Sequence, residues 1–234
     1  MFERCWNGIL HRLLGRKYVA RRVVKSFARF HSWSYKYLSY AAVHAEENKL
    51  HPKHRITKYH DFFVHNVKNT DVVLDVGCGN GALTADLAKK AKKVIGIDLN
   101  AKNIADAKKF YSKENITFIN GNICTMDLGQ FRKCDVVVLS NILEHIEERK
   151  SFLEAINRIS PKVLIRVPQY DRAWEVAYKK ELGIEWRLDP THETEYTQEQ
   201  LEQELKAVEL SVKSVVCKFG EFWVVAEKKG DHGN

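Results

Sequence analysis

The sequence has little that could cross-link it or anchor it in a membrane. Its five cysteines (Cys5, Cys78, Cys124, Cys134 and Cys217) are odd in number and scattered, with no CxxC pair. That argues against a disulfide framework and a structural zinc site, and predicts a chain suited to a reducing cytoplasm. No apolar run approaches the roughly 18 residues that a membrane span needs. The first residues lack the apolar stretch and small-residue cleavage site of a secretory signal. Internal repeats and low-complexity tracts are also missing. With 44% apolar and 29% charged residues in 234, the chain can bury a core, and its length fits one α/β domain plus an accessory piece. Acidic residues are scarce in one place only. Residues 1–60 hold 13 Lys or Arg against 3 Asp or Glu, whereas the remainder holds 25 against 27. The basic character therefore belongs to the N-terminal segment, where an anionic partner is to be sought.

That segment is aromatic as well as basic. Trp6, Ile9, Leu10, Leu13 and Leu14 recur at helical spacing, as do Val23, Val24, Phe27 and Phe30, with Arg12, Arg16, Arg21, Arg22 and Lys25 between them. This predicts one or two basic amphipathic helices. A further helix is expected over His54 to Val67. From Asp71 the rhythm becomes strand, helix, strand. Strands are predicted at Val72–Val76, Val94–Ile97, Ile116–Ile119, Val136–Leu139 and Val163–Val167. Helices are predicted at Ala82–Ala91, Lys102–Tyr111 and Glu147–Ile159. Helix Gln198–Val208 follows, with Thr197 as N-cap and Gln200 at the capping-box position. Strands Val212–Cys217 and Phe222–Ala226 then close the chain around Gly220. Continuous apolar strands alternating with helices predict a parallel sheet covered on both faces.

Between the first strand and its helix stands Val73-Leu74-Asp75-Val76-Gly77-Cys78-Gly79-Asn80-Gly81. Glycines there let the backbone turn sharply and approach a ligand closely. Gly77, Gly79 and Ala82 satisfy the dinucleotide fingerprint, so a nicotinamide cofactor must be weighed. Asp75 argues the other way. A carboxylate at the strand end repels a pyrophosphate but suits a ligand bearing sulfonium and ammonium groups. A Tyr-x-x-x-Lys pair, which common dehydrogenases of this length need, is absent. Asp98 ends the second strand at the spacing where an acid accepts ribose hydroxyls, although it could also cap the helix that follows.

These stretches, with VIGIDLN, FINGNICTM and CDVVVLSNILEHI, resemble the class I S-adenosylmethionine (SAM)-dependent methyltransferases from about His51 to Lys228. The resemblance implies an α/β, Rossmann-like, seven-stranded, mostly parallel sheet in the order 3-2-1-4-5-7-6, with helices on both faces and an N-terminal helical extension. It implies SAM as cofactor. The methionine part would lie on Asp75, Gly77, Cys78 and Gly79, and the ribose on Asp98 beside Leu99. The adenine would lie between Asn122 and Ile123, with Ser140 at the end of the fourth strand. Asn122 replaces the family's more frequent Asp. Arg55 stands where ubiquinone-type members place an Arg that pairs with the SAM carboxylate.

The segment Ser140-Asn141-Ile142-Leu143-Glu144-His145 follows the fourth strand, where ligands bind in open α/β sheets. It resembles the SxxxEH pattern of small-molecule O-methyltransferases, closest to those of ubiquinone biosynthesis, and not the motif of adenine-N6 enzymes. A hydroxyl acceptor must lose a proton, and a histidine is poised for that near neutral pH. His145 is the candidate base, with Glu144 orienting it or the substrate. His192, in a polar loop before the last helix, is the third candidate. Related enzymes bind a divalent metal through E-x-x-E-H. Here Glu144, His145 and His192 match, but Asn141 replaces the first Glu, so no metal is favoured.

The expected organisation is a basic extension over 1–50, a methyltransferase domain over 51–229 and a flexible tail at 230–234. The extension has three competing readings: a lid over the pocket, a contact with an anionic membrane surface, or an RNA grip using Trp33, Tyr35 and Tyr37. The acceptor is read as a small molecule, sugar or lipid-linked hydroxyl compound. An RNA methyltransferase and a non-catalytic SAM-binding protein are the alternatives.

Overall fold

The structure is a computed structural model that describes residues 14–47 and 51–229. The helical positions expected from Trp6 to Leu13 and the 230–234 tail lie outside the described residues. The chain divides into two compact units. The smaller is Met1–Pro52 with Ala173–Pro190; the larger is Lys53–Arg172 with Thr191–Asn234.

Among the described residues of the smaller unit, helix α1 (Lys17–Ala45) runs through the aromatic basic segment. Helix α7 (Trp174–Glu181) belongs to the same unit. The sequence reading assigned no helix there, because only Val176 and Lys179 of α7 are buried and no apolar period results. Lys179 Nζ lies 3.2 Å from both His31 Nδ1 and Ser32 Oγ of α1.

The larger unit is built on seven strands. These are β1 (Val72–Val76), β2 (Lys93–Asp98), β3 (Ile116–Asn120), β4 (Val136–Ser140), β5 (Lys162–Pro168), β6 (Leu210–Lys218) and β7 (Glu221–Lys228). They form one sheet in the order β3-β2-β1-β4-β5-β7-β6, as expected. β7 runs antiparallel to β5, pairing Val163 with Ala226 and Ile165 with Val224. β6 is antiparallel to β7, with a bulge between Val212 and Ser214.

Alternation along each strand sends neighbouring side chains to opposite faces. Val136 and Val138 pack with Phe63 and Leu87, from α3 (Tyr59–His65) and α4 (Ala82–Leu87). Val137 and Leu139 pack with Leu153, Ile156, Leu201 and Leu205, from α6 (Arg149–Ile159) and α8 (Gln198–Ala207). Burial on both faces is why the strands read as continuous apolar runs. A third small cluster joins Ile104 and Ala107 of α5 (Ala101–Phe110) to Phe118. The expected capping box is present: Gln200 N–H donates to Thr197 Oγ1, and Thr197 N–H donates to Gln200 Oε1.

Two helices depart from expectation. The helix expected over His54–Val67 is broken into α2 (Lys53–Thr57) and α3 at Lys58, whose φ is +52°. No glycine or proline marks this break. It accompanies a tertiary contact in which the Arg166 guanidinium sits 3.7 Å from the centre of the Tyr59 ring. Helix α4 ends at Leu87, and the residues to Lys90 continue as hydrogen-bonded turns.

Candidate active site

The glycine loop leaves β1 and enters α4 at the carboxyl end of the sheet, with Gly77, Gly79 and Gly81 all at positive φ. At Gly77 the absence of a side chain is obligatory, since a Cβ would fall 2.0 Å from Ile142 Cδ1. The segment after β4 therefore packs directly on the loop. At Gly79 a Cβ would meet nothing within 4 Å, so the backbone there faces open space. Beneath the loop Asp75 is buried and accepts a 2.6 Å hydrogen bond from the Thr84 hydroxyl. Burial pushes its pKa up to about 7, against the opposing effect of the Thr84 bond. Cys78, also buried, has its thiol pKa raised chiefly by burial, with Asp75 and Asp98 adding to it.

Asp98 braces the loop from β2. Its Oδ2 accepts from Gly79 N–H at 2.9 Å, and its Oδ1 from Asn100 N–H at 2.8 Å and Asn103 Nδ2 at 3.2 Å. The N-cap of α5 is Asn100, whose side chain accepts from Lys102 N–H, so the capping alternative for Asp98 is replaced by loop bracing. Asn122 spends its side-chain oxygen on Cys124 N–H at 2.9 Å, and the exposed Leu99 stands beside Asp98.

Among the cavities at this end of the sheet, two have Gly77 in their walls. One, about 360 Å³, is bounded by Asp98, Leu99, Asn122, Ile123, Ile142 and His145. The other, about 200 Å³, is bounded by Asp75, Cys78, Gly79, Ser140, Lys53 and Arg166, among others. The trough thus gathers Asp75, Gly77, Cys78, Gly79, Asp98, Leu99, Asn122, Ile123, Ser140 and His145. Arg55 is not in either wall and is exposed. Lys53, two residues earlier on α2, lines the cavity instead, and its pKa is lowered by burial and by Arg166.

Arg166 is a group that the sequence reading missed. It is buried on β5, held by Glu221 through two bonds of 2.7 and 2.9 Å, and donates to Ser140 Oγ at 3.2 Å. Across the same cavity, His60 and Asp86 are joined at 2.6 Å, and His60 Nε2 is 3.2 Å from His54 Nδ1. The sequence signal for these residues was slight. Charged and aromatic side chains on a short helix read as solvated until the fold turns them inward.

Glu144 and His145 sit in a 3-10 turn, Leu143–His145, after β4. Glu144 is fully buried, and neither carboxylate oxygen has a hydrogen-bond partner. Burial pushes its pKa up to about 8, partly offset by its own backbone N–H and then by the nearby Arg166. The loop carrying His192 is tied back to this turn, because Glu193 N–H donates to the Glu144 carbonyl at 2.7 Å. His145 and His192 meet edge to face with ring centres 4.7 Å apart. His145 Nδ1 is 3.1 Å from Thr191 Oγ1. His192 is buried with its Nδ1 3.0 Å from Glu195 Oε1, and Arg172 pairs with the other Glu195 oxygen. Ligand atoms of Glu144, His145 and His192 lie within 4.8 Å of one another. The adjacent candidates Glu144 and His145 and the distant His192 therefore form one cluster beside the trough. Glu195 and Arg172, which buttress it, were not anticipated.

Comparison with known proteins agrees with this geometry. Residues 74–162 match the methyltransferase domain family model. A ubiquinone biosynthesis O-methyltransferase of Rhodopseudomonas palustris (strain TIE-1) is 29% identical over 147 residues, covering 60% of this chain and 58% of that protein. The chain thus spans under two thirds of the length of this relative. The enzyme of the same description from strain BisB5 is 26% identical over 185 residues, covering 70% of this chain and 73% of that protein. Among solved structures, an S-adenosylmethionine-dependent methyltransferase from Mesorhizobium loti shares the fold, with a TM-score of 0.59 and 15% identity. That match covers 73% of this chain and 97% of the other. Over residues 74–162 the chain thus carries a match to the methyltransferase domain family, set on a sheet order and glycine loop that agree with it.

Proposed function

We propose that the protein transfers a methyl group from SAM to a hydroxyl oxygen of a small-molecule, sugar or lipid-linked acceptor. The observation that carries this reading is the Glu144–His145–His192 cluster, whose His145 also lines the trough below the glycine loop. The donor set suits SAM: open backbone at Gly79, a buried carboxylate at Asp75 for a cationic ligand, and Asp98 at the ribose position. Lys53 and Arg166, which line the smaller cavity, supply positive charge toward its carboxylate. When bound, SAM supplies an electrophilic methyl group. The residues then have to align acceptor and donor, exclude water and remove a proton. His145 would take the acceptor hydroxyl proton as the new O–CH3 bond forms and the sulfonium S–CH3 bond breaks, with neutral S-adenosylhomocysteine as the leaving group. Glu144, protonated near neutral pH by its burial, serves as a hydrogen-bond donor to the acceptor or to His145 and not as a second base. His192, held by Glu195, shapes the far side of the site. The curated relatives named as ubiquinone biosynthesis O-methyltransferases support an oxygen acceptor.

A second reading has one specific observation behind it. A buried carboxylate without a partner beside two imidazoles is a donor set that suits a divalent cation. In that reading Glu144, His145 and His192 hold the metal, which would polarise the acceptor oxygen. The deciding experiment is SAM consumption against pooled cell extracts, with and without a membrane fraction and with and without chelator. Turnover that survives chelator supports His145 as base. Turnover that disappears and returns with Mg²⁺ or Zn²⁺ supports the metal. No SAM consumption with any extract, despite SAM binding, would leave a SAM-binding protein in place of an enzyme.

A further inference from the structure

Helix α1 contains 29 residues, none of them buried, and it carries no acidic residue. Its six cations are Lys17, Arg21, Arg22, Lys25, Arg29 and Lys36. At about 100° per residue they fall within an arc of roughly 140°. On the opposite side Val19, Val23, Phe27, Phe30, Tyr37 and Leu38 form an apolar stripe. The stripe is open to solvent: Phe27 is 69% exposed and Leu38 67%. Among the described residues, none of the six cations forms a salt bridge.

We propose that α1 is a docking surface for an anionic lipid bilayer, lying in its interface with the apolar stripe inserted and the cations among the headgroups. The proposal does not depend on which acceptor the enzyme methylates. A stripe of exposed Phe, Tyr and Leu with half-buried Val, opposite a face whose charges are all cationic, is the pattern of an interfacial helix. The charge is complementary to acidic lipids, and nothing acidic on the helix neutralises it. The helix lies on the bilayer and does not cross it, because no described helix is long and apolar enough to span. RNA fits less well, because Trp33, a ring that could stack a base, already packs against Phe30 at 5.6 Å and Tyr37 at 4.8 Å.

The test uses the full chain and vesicles of phosphatidylcholine with or without phosphatidylglycerol. Binding is expected only to the anionic vesicles and should fall steeply as salt rises. Reversing charge at Arg21→Glu, Arg22→Glu and Lys25→Glu together should weaken binding at least about a hundredfold. Phe27→Ser with Phe30→Ser should weaken it at least about tenfold while leaving the salt dependence in place. SAM calorimetry on each variant should match the parent, which shows that the larger unit is intact. Equal binding to neutral vesicles, no binding to either, or binding that survives charge reversal would overturn the proposal. So would salt-dependent binding to a polyuridylate oligomer that is tighter than binding to the vesicles.

Discussion

At the scale of single residues the site is dominated by carboxylates in unlike surroundings. Asp98 is engaged by three donors, whereas Asp75 has one hydroxyl and Glu144 none. Replacing Asp98 by Ala should weaken SAM binding by roughly 1.5–3 kcal/mol, the range for hydrogen bonds to a charged group. Calorimetry would show this, and unchanged affinity in a folded variant would limit Asp98 to bracing the loop. Asp75, with its pKa raised to about 7, binds a proton in the native state that the unfolded chain has released above the ordinary value of 3.8. Its contribution to stability is therefore fully present below pH 3.8 and is lost as pH rises through about 7. A cationic ligand has the opposite preference and favours the ionised form. SAM affinity should rise with pH through that range, with proton release on binding. Thr84→Val, which removes the bond that lowers the pKa, should move the rise to higher pH. A flat profile in both proteins would show that Asp75 does not sense the ligand. His145→Ala should lower turnover by roughly 10²–10⁴-fold with SAM affinity nearly intact. Activity within a few-fold of the parent would mean that the proton leaves by another route.

At the scale of elements, short-range chemistry and long-range packing divide the work. The α8 capping box satisfies two backbone donors with side chains three residues apart, and Thr197→Ala should cost about 1 kcal/mol in denaturant unfolding. A loss within a few tenths would mean that water replaces the cap at no cost. The glycine loop depends on a contact from another element. Gly77→Ala places a Cβ against Ile142 and forces positive φ on a non-glycine residue. It should abolish measurable SAM binding. Adding Ile142→Ala relieves the collision but not the backbone strain, so stability should recover further than affinity. Full recovery of affinity would show that the collision alone mattered. The boundaries of β1 and the capping box were legible because they rest on local pattern. The break at Lys58 was not, because the residues between α2 and α3 carry no Gly or Pro and the contact that accompanies it comes from β5.

At the scale of the whole molecule, the sheet with its flanking helices contains every element that lines the trough. The basic segment belongs to the other compact unit. Removing residues 1–30 should therefore leave a folded chain that binds SAM with parental affinity, and any loss should fall on binding to surfaces or on acceptor turnover. Loss of the cooperative unfolding transition on truncation would show that α1 completes the core instead. The grouping of 173–190 with the N-terminal segment had no counterpart in the sequence, since it rests on contacts such as Lys179 with His31, nearly 150 residues apart.

By itself the sequence determined the succession of strands and helices, the glycine loop and the acid after β2. Each of these is written in residues that act on near neighbours: a period of two or 3.6, a cap, a turn that only glycine adopts. Tertiary structure decided what surrounds them. It put Lys53, not Arg55, in the cavity wall and brought Arg166 onto Glu221 and Tyr59. It also set Glu195 and Arg172 behind His192 and buried Glu144 without a partner. Those outcomes depend on which elements cross at the end of the sheet. A charged side chain carries no local mark of whether the fold will solvate it, pair it or bury it.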